Sequence, residues 1–222
     1  MAAATAVLAL IGAALIGAAA LGQESPPQPA HTAAAQSGSG SASPSGPLPL
    51  RKSTKGGGTP SPYLPASNPT KIAIPAIDVH AKIMKLGVKK NGSIEVPPFE
   101  QDSRAGWYKR SPTPGQIGPS VILGHVDSEK YGPAVFFKLG ALKKGDRVRV
   151  KRADGSVAHF RIDRVVRFPK DEFPTAAVYG SIDHAGLRLI TCGGQFNPNR
   201  GHYEDNIIAY ASFVPHGGGH RS

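Results

Sequence analysis

The chain of 222 residues contains a single cysteine, Cys192, within the stretch LRLITCGG. An apolar run leads straight into it, and Gly193 and Gly194 follow at once. A lone thiol is usually packed away as a small hydrophobe. The end of a predicted strand, just before two glycines, is a poor place for deep packing. Glycines there let a bulky acyl group approach closely, and they can aim backbone N–H groups at a developing oxyanion. Cys192 is therefore a candidate nucleophile, which needs an imidazole elsewhere in the chain to exchange protons with it.

Of the eight histidines, His31 lies in a Pro/Ser/Gly-rich stretch, and His216 and His220 lie in a Gly-rich tail. His80, His159 and His184 sit beside strand patterns without a supporting motif, and His202 lies in the loop GGQFNPNRGHYEDN. His125 is different, because it ends the apolar run SVILGHVDS, where a strand again gives way to a polar turn. Two strands that each deliver one reactive group at an edge can bring imidazole and thiol to the same rim. The two residues are 192 − 125 = 67 positions apart, so only tertiary structure can pair them. Asp127, two residues beyond, either orients this loop or the imidazole, or simply forms the turn. One cysteine allows no intrachain disulfide, zinc ribbon or CxxC redox pair. His125, Cys192 and His202 have no metal-ligand spacing, and no cofactor is called for.

Positioning such groups falls to a β-rich domain expected over residues 71–214. KIAIPAI places Ile72 and Ile74 on one face, and Val148/Val150 and Phe160/Ile162 alternate with polar residues. Asn91-Gly92, between AKIMKLGVKK and SIEVP, and Asp154-Gly155, between DRVRVKR and SVAHFRID, are two-residue hairpin signals. SVILGHV, LRLITC and NIIAYASF are further strands, and PAVFFKLGALKKG is the one helical candidate, ended by Gly145. Many short strands at this spacing predict an all-β closed barrel or a sandwich.

The flanking segments read differently. Ala2–Gly22 has no charge and no proline, and its 21 residues are long enough to cross a bilayer of about 30 Å. Residues 1–22 are expected to be a retained anchor, with cleavage near AAALGQES as the alternative. Residues 23–70 cannot bury enough apolar surface to order themselves and are expected to be a tether; residues 215–222 form a Gly/His tail. The net charge is +11. Without an RNA-binding motif or helix-turn-helix it points to an anionic membrane or cell wall rather than nucleic acid.

The succession ILGHVDS, LRLITCGG and GHYEDNIIAYA resembles the sortases, most closely those of class F, across residues 71–214 and including IPAIDV, GSIEVP, GWY and FFKL. The resemblance implies a closed eight-stranded β-barrel with short helices. It implies a single-pass membrane protein, its catalytic domain outside the cell, acting as a cysteine transpeptidase. Such an enzyme cleaves an LPXTG-like sorting signal through a thioester and passes the acyl group to an amine of a peptidoglycan precursor or a pilin. Cys192 then corresponds to the nucleophile and His125 to the acid/base. The family's third group is an Arg near the start of the last strand, where this chain has Glu204 or Asn206. Arg200 in the preceding loop is the candidate replacement, with Arg188, four residues before Cys192 on the same strand face, as the alternative. Rival readings are another exported cysteine peptidase or a binding module without turnover. An L,D-transpeptidase would want histidine and small residues before the cysteine, not Ile190-Thr191.

Overall fold

The computed structural model describes residues 25–29 and 63–215, so the expected anchor at 1–22 lies outside the described residues. Ten strands run in chain order: β1 Pro69–Ile74, β2 Val79–Leu86, β3 Ala105–Tyr108, β4 Gly118–Leu123, β5 Asp127–Ser128, β6 Gly132–Pro133, β7 Arg147–Arg152, β8 Val157–Pro169, β9 Ala185–Asn197 and β10 His202–Phe213. Eight of them close into a barrel in the order β1-β2-β3-β4-β9-β10-β8-β7, while β5 and β6 pair with each other. The fold is thus all-β, with one short helix, α1 Thr175–Tyr179, and three 3-10 turns among the described residues.

The barrel follows from period-two burial. Ile72 and Ile74, Val148 and Val150, Phe160 and Ile162, and Leu187 and Leu189 are all within 1% of complete burial and point into one core. Each such side chain contributes roughly 1.5–3 kcal/mol by leaving water. The alternate residues of β9 and β10 are buried as well. Ile190, Ile208 and Tyr210 form a second, outer cluster with Val121 of β4 and Val178 of α1. Burial on both faces explains why LRLITC reads as an almost unbroken apolar run.

Two joins in the barrel are parallel, β2 with β3 and β4 with β9. The Asp154-Gly155 turn does connect antiparallel β7 and β8. The Asn91-Gly92 signal yields only one bridge, Val88 to Ile94, and SIEVP forms no strand. The segment ends in Pro97, and Pro98 follows at once, and neither can donate to a ladder. The helix expected in PAVFFKLGALKKG is reduced to a 3-10 turn, Leu139–Ala141. Its apolar side chains, Phe136, Leu139 and Leu142, go to the core instead of forming a helical stripe.

Parts of the stretch read as a tether also meet the barrel. The Leu64 N–H donates to the Gly115 carbonyl at 2.7 Å, and the fully buried guanidinium of Arg152 donates to the Pro65 carbonyl. Further upstream, Pro26 is buried.

Candidate functional site

Strand β9 does not stop at Cys192 but runs on to Asn197. Its pairing with β10 slips between Gly193↔Asp205 and Phe196↔Tyr203, so β9 carries an extra residue at 194–195. Gly194 sits in that bulge at φ 76°, and a Cβ there would lie 2.2 Å from the Asp205 carboxylate. Glycine is needed both for the backbone angle and for the space. Asp205 is held in turn by Arg167 at 3.2 Å. The two glycines after the cysteine therefore shape a bulge inside a strand, rather than the flexible turn expected.

β4 and β9 pair in parallel with a constant offset, from Gly118↔Ala185 to Leu123↔Ile190. That offset is 190 − 123 = 67, and the Gly124 N–H continues it by donating to the Ile190 carbonyl at 3.0 Å. Two residues past the last paired rung the same offset would relate His125 to Cys192, although β4 itself ends at Leu123. His125 and Cys192 thus both follow the β4–β9 ladder at the same end of the barrel, one after β4 ends and the other within β9.

The His125 ring is stacked on Phe99, with centroids 4.0 Å apart. Its Nε2 lies 2.6 Å from the Pro97 carbonyl oxygen. A carbonyl only accepts, so Nε2 carries a proton and Nδ1 is left as the nitrogen that can give one up or take one. Pro97 and Phe99 belong to the SIEVPPF segment, and no local pattern marks them as partners of a histidine 28 residues away. The ring borders a small cleft between this segment and the β5–β6 hairpin.

Asp127 does not orient the imidazole. It accepts a short hydrogen bond from the Tyr203 hydroxyl and so ties the chain after His125 to the β9–β10 hairpin. Burial first, and then Asp127, push the Tyr203 hydroxyl well above the ordinary phenol range, so it stays a donor. Tyr203 was not singled out by its sequence pattern.

The two arginines lie elsewhere. Arg200 is exposed in the turn between β9 and β10, beyond the Asn197↔His202 rung. That rung is five residues past Cys192, about 16 Å along an ideal strand. Arg188 shares the outer face with Cys192, yet its guanidinium covers the Tyr210 ring at 4.7 Å and donates to the Ala177 and Leu187 carbonyls. The residue opposite Cys192 on β10 is Asn206, half-buried. Directly opposed Cβ atoms on neighbouring strands lie about 5 Å apart. Glu204 instead accepts from Asn197 near the hairpin tip.

Cys192 is half-buried. Burial pushes its thiol above the usual range; the ammonium of Lys170 lowers it and the carboxylate of Asp127 raises it. The cation that acts on the sulfur is thus Lys170, not an arginine. Thiolate is scarce at neutral pH, so alkylation by iodoacetamide should keep accelerating above the ordinary thiol midpoint of about 8.5. Asp127→Asn is expected to move that midpoint down, and Lys170→Ala to move it up, in a stopped-time labelling series. Among the described residues no three of His, Cys, Asp and Glu gather closely enough to ligate a metal ion.

A search among curated proteins returns no match. Among solved structures, the barrel is similar to a sortase D5 transpeptidase of Clostridium perfringens, with 20% identity over 66% of this chain and 79% of that one and a TM-score of 0.49. It is similar to sortase C1 of Streptococcus agalactiae, with 15% identity over 68% and 72% and a TM-score of 0.51. A sortase C-1 variant from S. pneumoniae aligns with 19% identity over 67% of each chain and a TM-score of 0.50. At such identities the latter two speak for the fold. The sequence itself goes further: a sortase-domain family model matches residues 72–214, from within β1 to just past β10, and the chain belongs to the sortase family.

Proposed function

We propose that this protein is a cysteine transpeptidase of class F type that cuts an LPXTG-like sorting signal and transfers its acyl part to an amine of the cell wall. The observation that supports the reading is the parallel β4–β9 register, which runs to Leu123↔Ile190 and leaves His125 and the chain's one thiol each two residues past its last rung. Family members are cysteine transpeptidases, and a thiol facing an imidazole is what that chemistry needs.

In this reading the Cys192 thiolate attacks the carbonyl carbon of the signal's Thr. The imidazolium of His125 gives its Nδ1 proton to the departing Gly amine as the C–N bond breaks, leaving a thioester and neutral His125. The acceptor amine then loses a proton to His125 as it attacks the thioester, and the thiolate is released. Membrane attachment through residues 1–22, with the barrel outside the cell, is part of the same proposal. It rests on the apolar character of Ala2–Gly22.

The position that the family resemblance gives to Arg falls to Asn206, whose carboxamide can donate to the oxyanion. Asn206→Ala should lower kcat by roughly a hundredfold with little change in KM, whereas Arg200→Ala should leave both within twofold. Steady-state ligation kinetics separate the two. The direct test is incubation with a panel of LPXTG-type peptides and an amine, read by mass spectrometry. A ligated product that depends on Cys192 supports the reading, and no product with any signal overturns it.

A further inference from the structure

We propose that the outer face of β1, β2 and β7 is a binding groove for a linear phosphodiester polymer. The groove lies away from Cys192 and does not depend on how that residue is read.

The strand registers define the face. Residues directly opposed on neighbouring strands project to the same side of a sheet. Lys82, Lys71 and Lys151 are opposed in one row across β2, β1 and β7. His80, Ala73 and Arg149 make the next row, about 6.6 Å further along the strands. Ile72, between the two rows on β1, is buried in the core, so both rows face outward. All of these residues are exposed except Ala73, which is half-buried at the centre. Long basic side chains standing round a short one leave a groove of about 550 Å³, with room for several phosphate groups in succession.

The charge on this face is uncompensated. Like charges directly opposed on a sheet destabilise it, and here three lysines share one row. No Asp or Glu lines the groove. Among the described residues, Lys71, Lys82, Arg149 and Lys151 take part in no ion pair, whereas Arg152 at the end of β7 has Asp154. A merely solvated surface intersperses both signs. A cationic groove without acids gathers small anions, and a polyanion that displaces several of them at once is bound with a gain in entropy.

The lining selects the occupant. Three of the four cations are lysines, whose ammonium groups bind phosphate as point charges. No aromatic side chain lines the groove, so a nucleobase has nothing to stack on. Of the exposed large apolar residues only Val157 borders it, so the face has little to insert into a bilayer. A concave floor at Ala73, walled by side chains, fits one chain better than a flat membrane. In the closed barrel β1 lies four strands from β9 in either direction, so the groove is on the wall opposite Cys192. A polymer held there leaves the thiol open.

The experiment titrates labelled poly(glycerol phosphate) with the full chain at about 50 and 200 mM salt and follows anisotropy. Lys71→Gln/Lys151→Gln should weaken binding by roughly tenfold or more and flatten its salt dependence. Lys109→Gln/Arg110→Gln removes the same charge just beyond β3 and should weaken binding by less than about twofold. Each variant is checked for folding by its thermal transition. Saturating polymer should leave the rate of Cys192 alkylation by iodoacetamide unchanged. No binding, equal weakening by the two double variants, or alkylation slowed by the polymer overturns the proposal. Vesicles test the other source of phosphate. A preference for phosphatidylglycerol over phosphatidylcholine vesicles that disappears in Lys71→Gln/Lys151→Gln makes the face a membrane surface and also overturns it.

Discussion

Cys192→Ala is expected to abolish ligation, by at least a thousandfold, while the barrel keeps its shape. The loss is large because no second thiol exists in the chain and no thioester can form without one. The structural cost is small. Cys192 holds its place in β9 through backbone pairing with Asn206, and its side chain is only half-buried on the outer face. Removing Sγ from such a site costs about 1 kcal/mol, a shift of roughly 2–4 °C in Tm for a domain of this size. Ligation kinetics and a thermal melt on the same preparation test both halves. Retained ligation in the alanine variant would end the transpeptidase reading, and a collapsed melt would mean that the thiol is a core residue.

The second large effect is expected at His125. Loss of a positioned acid/base lowers the rate by roughly 10²–10⁴. His125→Gln is the informative variant, because a carboxamide can still donate to the Pro97 carbonyl and lie against Phe99. The ring's surroundings survive, and the proton-exchanging nitrogen does not. The charges that act on the sulfur are those of Lys170 and Asp127. His125→Gln should therefore reduce kcat by orders of magnitude while leaving the pH midpoint of Cys192 alkylation nearly in place. A midpoint that climbs with the substitution would show an imidazolium–thiolate pair instead of a thiol activated in passing.

Much of the barrel was legible because its signals are local. Val148/Val150 and Phe160/Ile162 alternate around Asp154-Gly155, and that hairpin formed as the pattern requires. The apolar run into Cys192 announced a buried strand, and Arg188 does share a face with Cys192 by simple alternation. What Arg188 touches was not legible, since Tyr210 and the Ala177 carbonyl come from other elements. The same holds for Pro97 and Phe99 around His125 and for Tyr203 on Asp127, each fixed by long-range packing. PAVFFKLGALKKG misled because apolar residues alone do not distinguish a helix from an irregular segment that drops its side chains into a core. The bulge at Gly194 was hidden for a related reason: GG after a strand reads as a turn unless the partner strand is known to continue alongside it.

The 67-residue offset between β4 and β9 has a practical consequence for anyone who would re-engineer this chain. β4 and β9 are kept in phase by hydrogen bonds between the two strands, not by the route the polypeptide takes from one to the other. Lengthening the stretch between α1 and β9 is expected to leave that register in place, provided the bond from the Gly118 N–H to the His184 carbonyl is kept. A single residue inserted within β4 would do what that change does not. It would advance the residues after it by a rung, about 3.3 Å, and turn the buried side chains of β4 to the wrong surface.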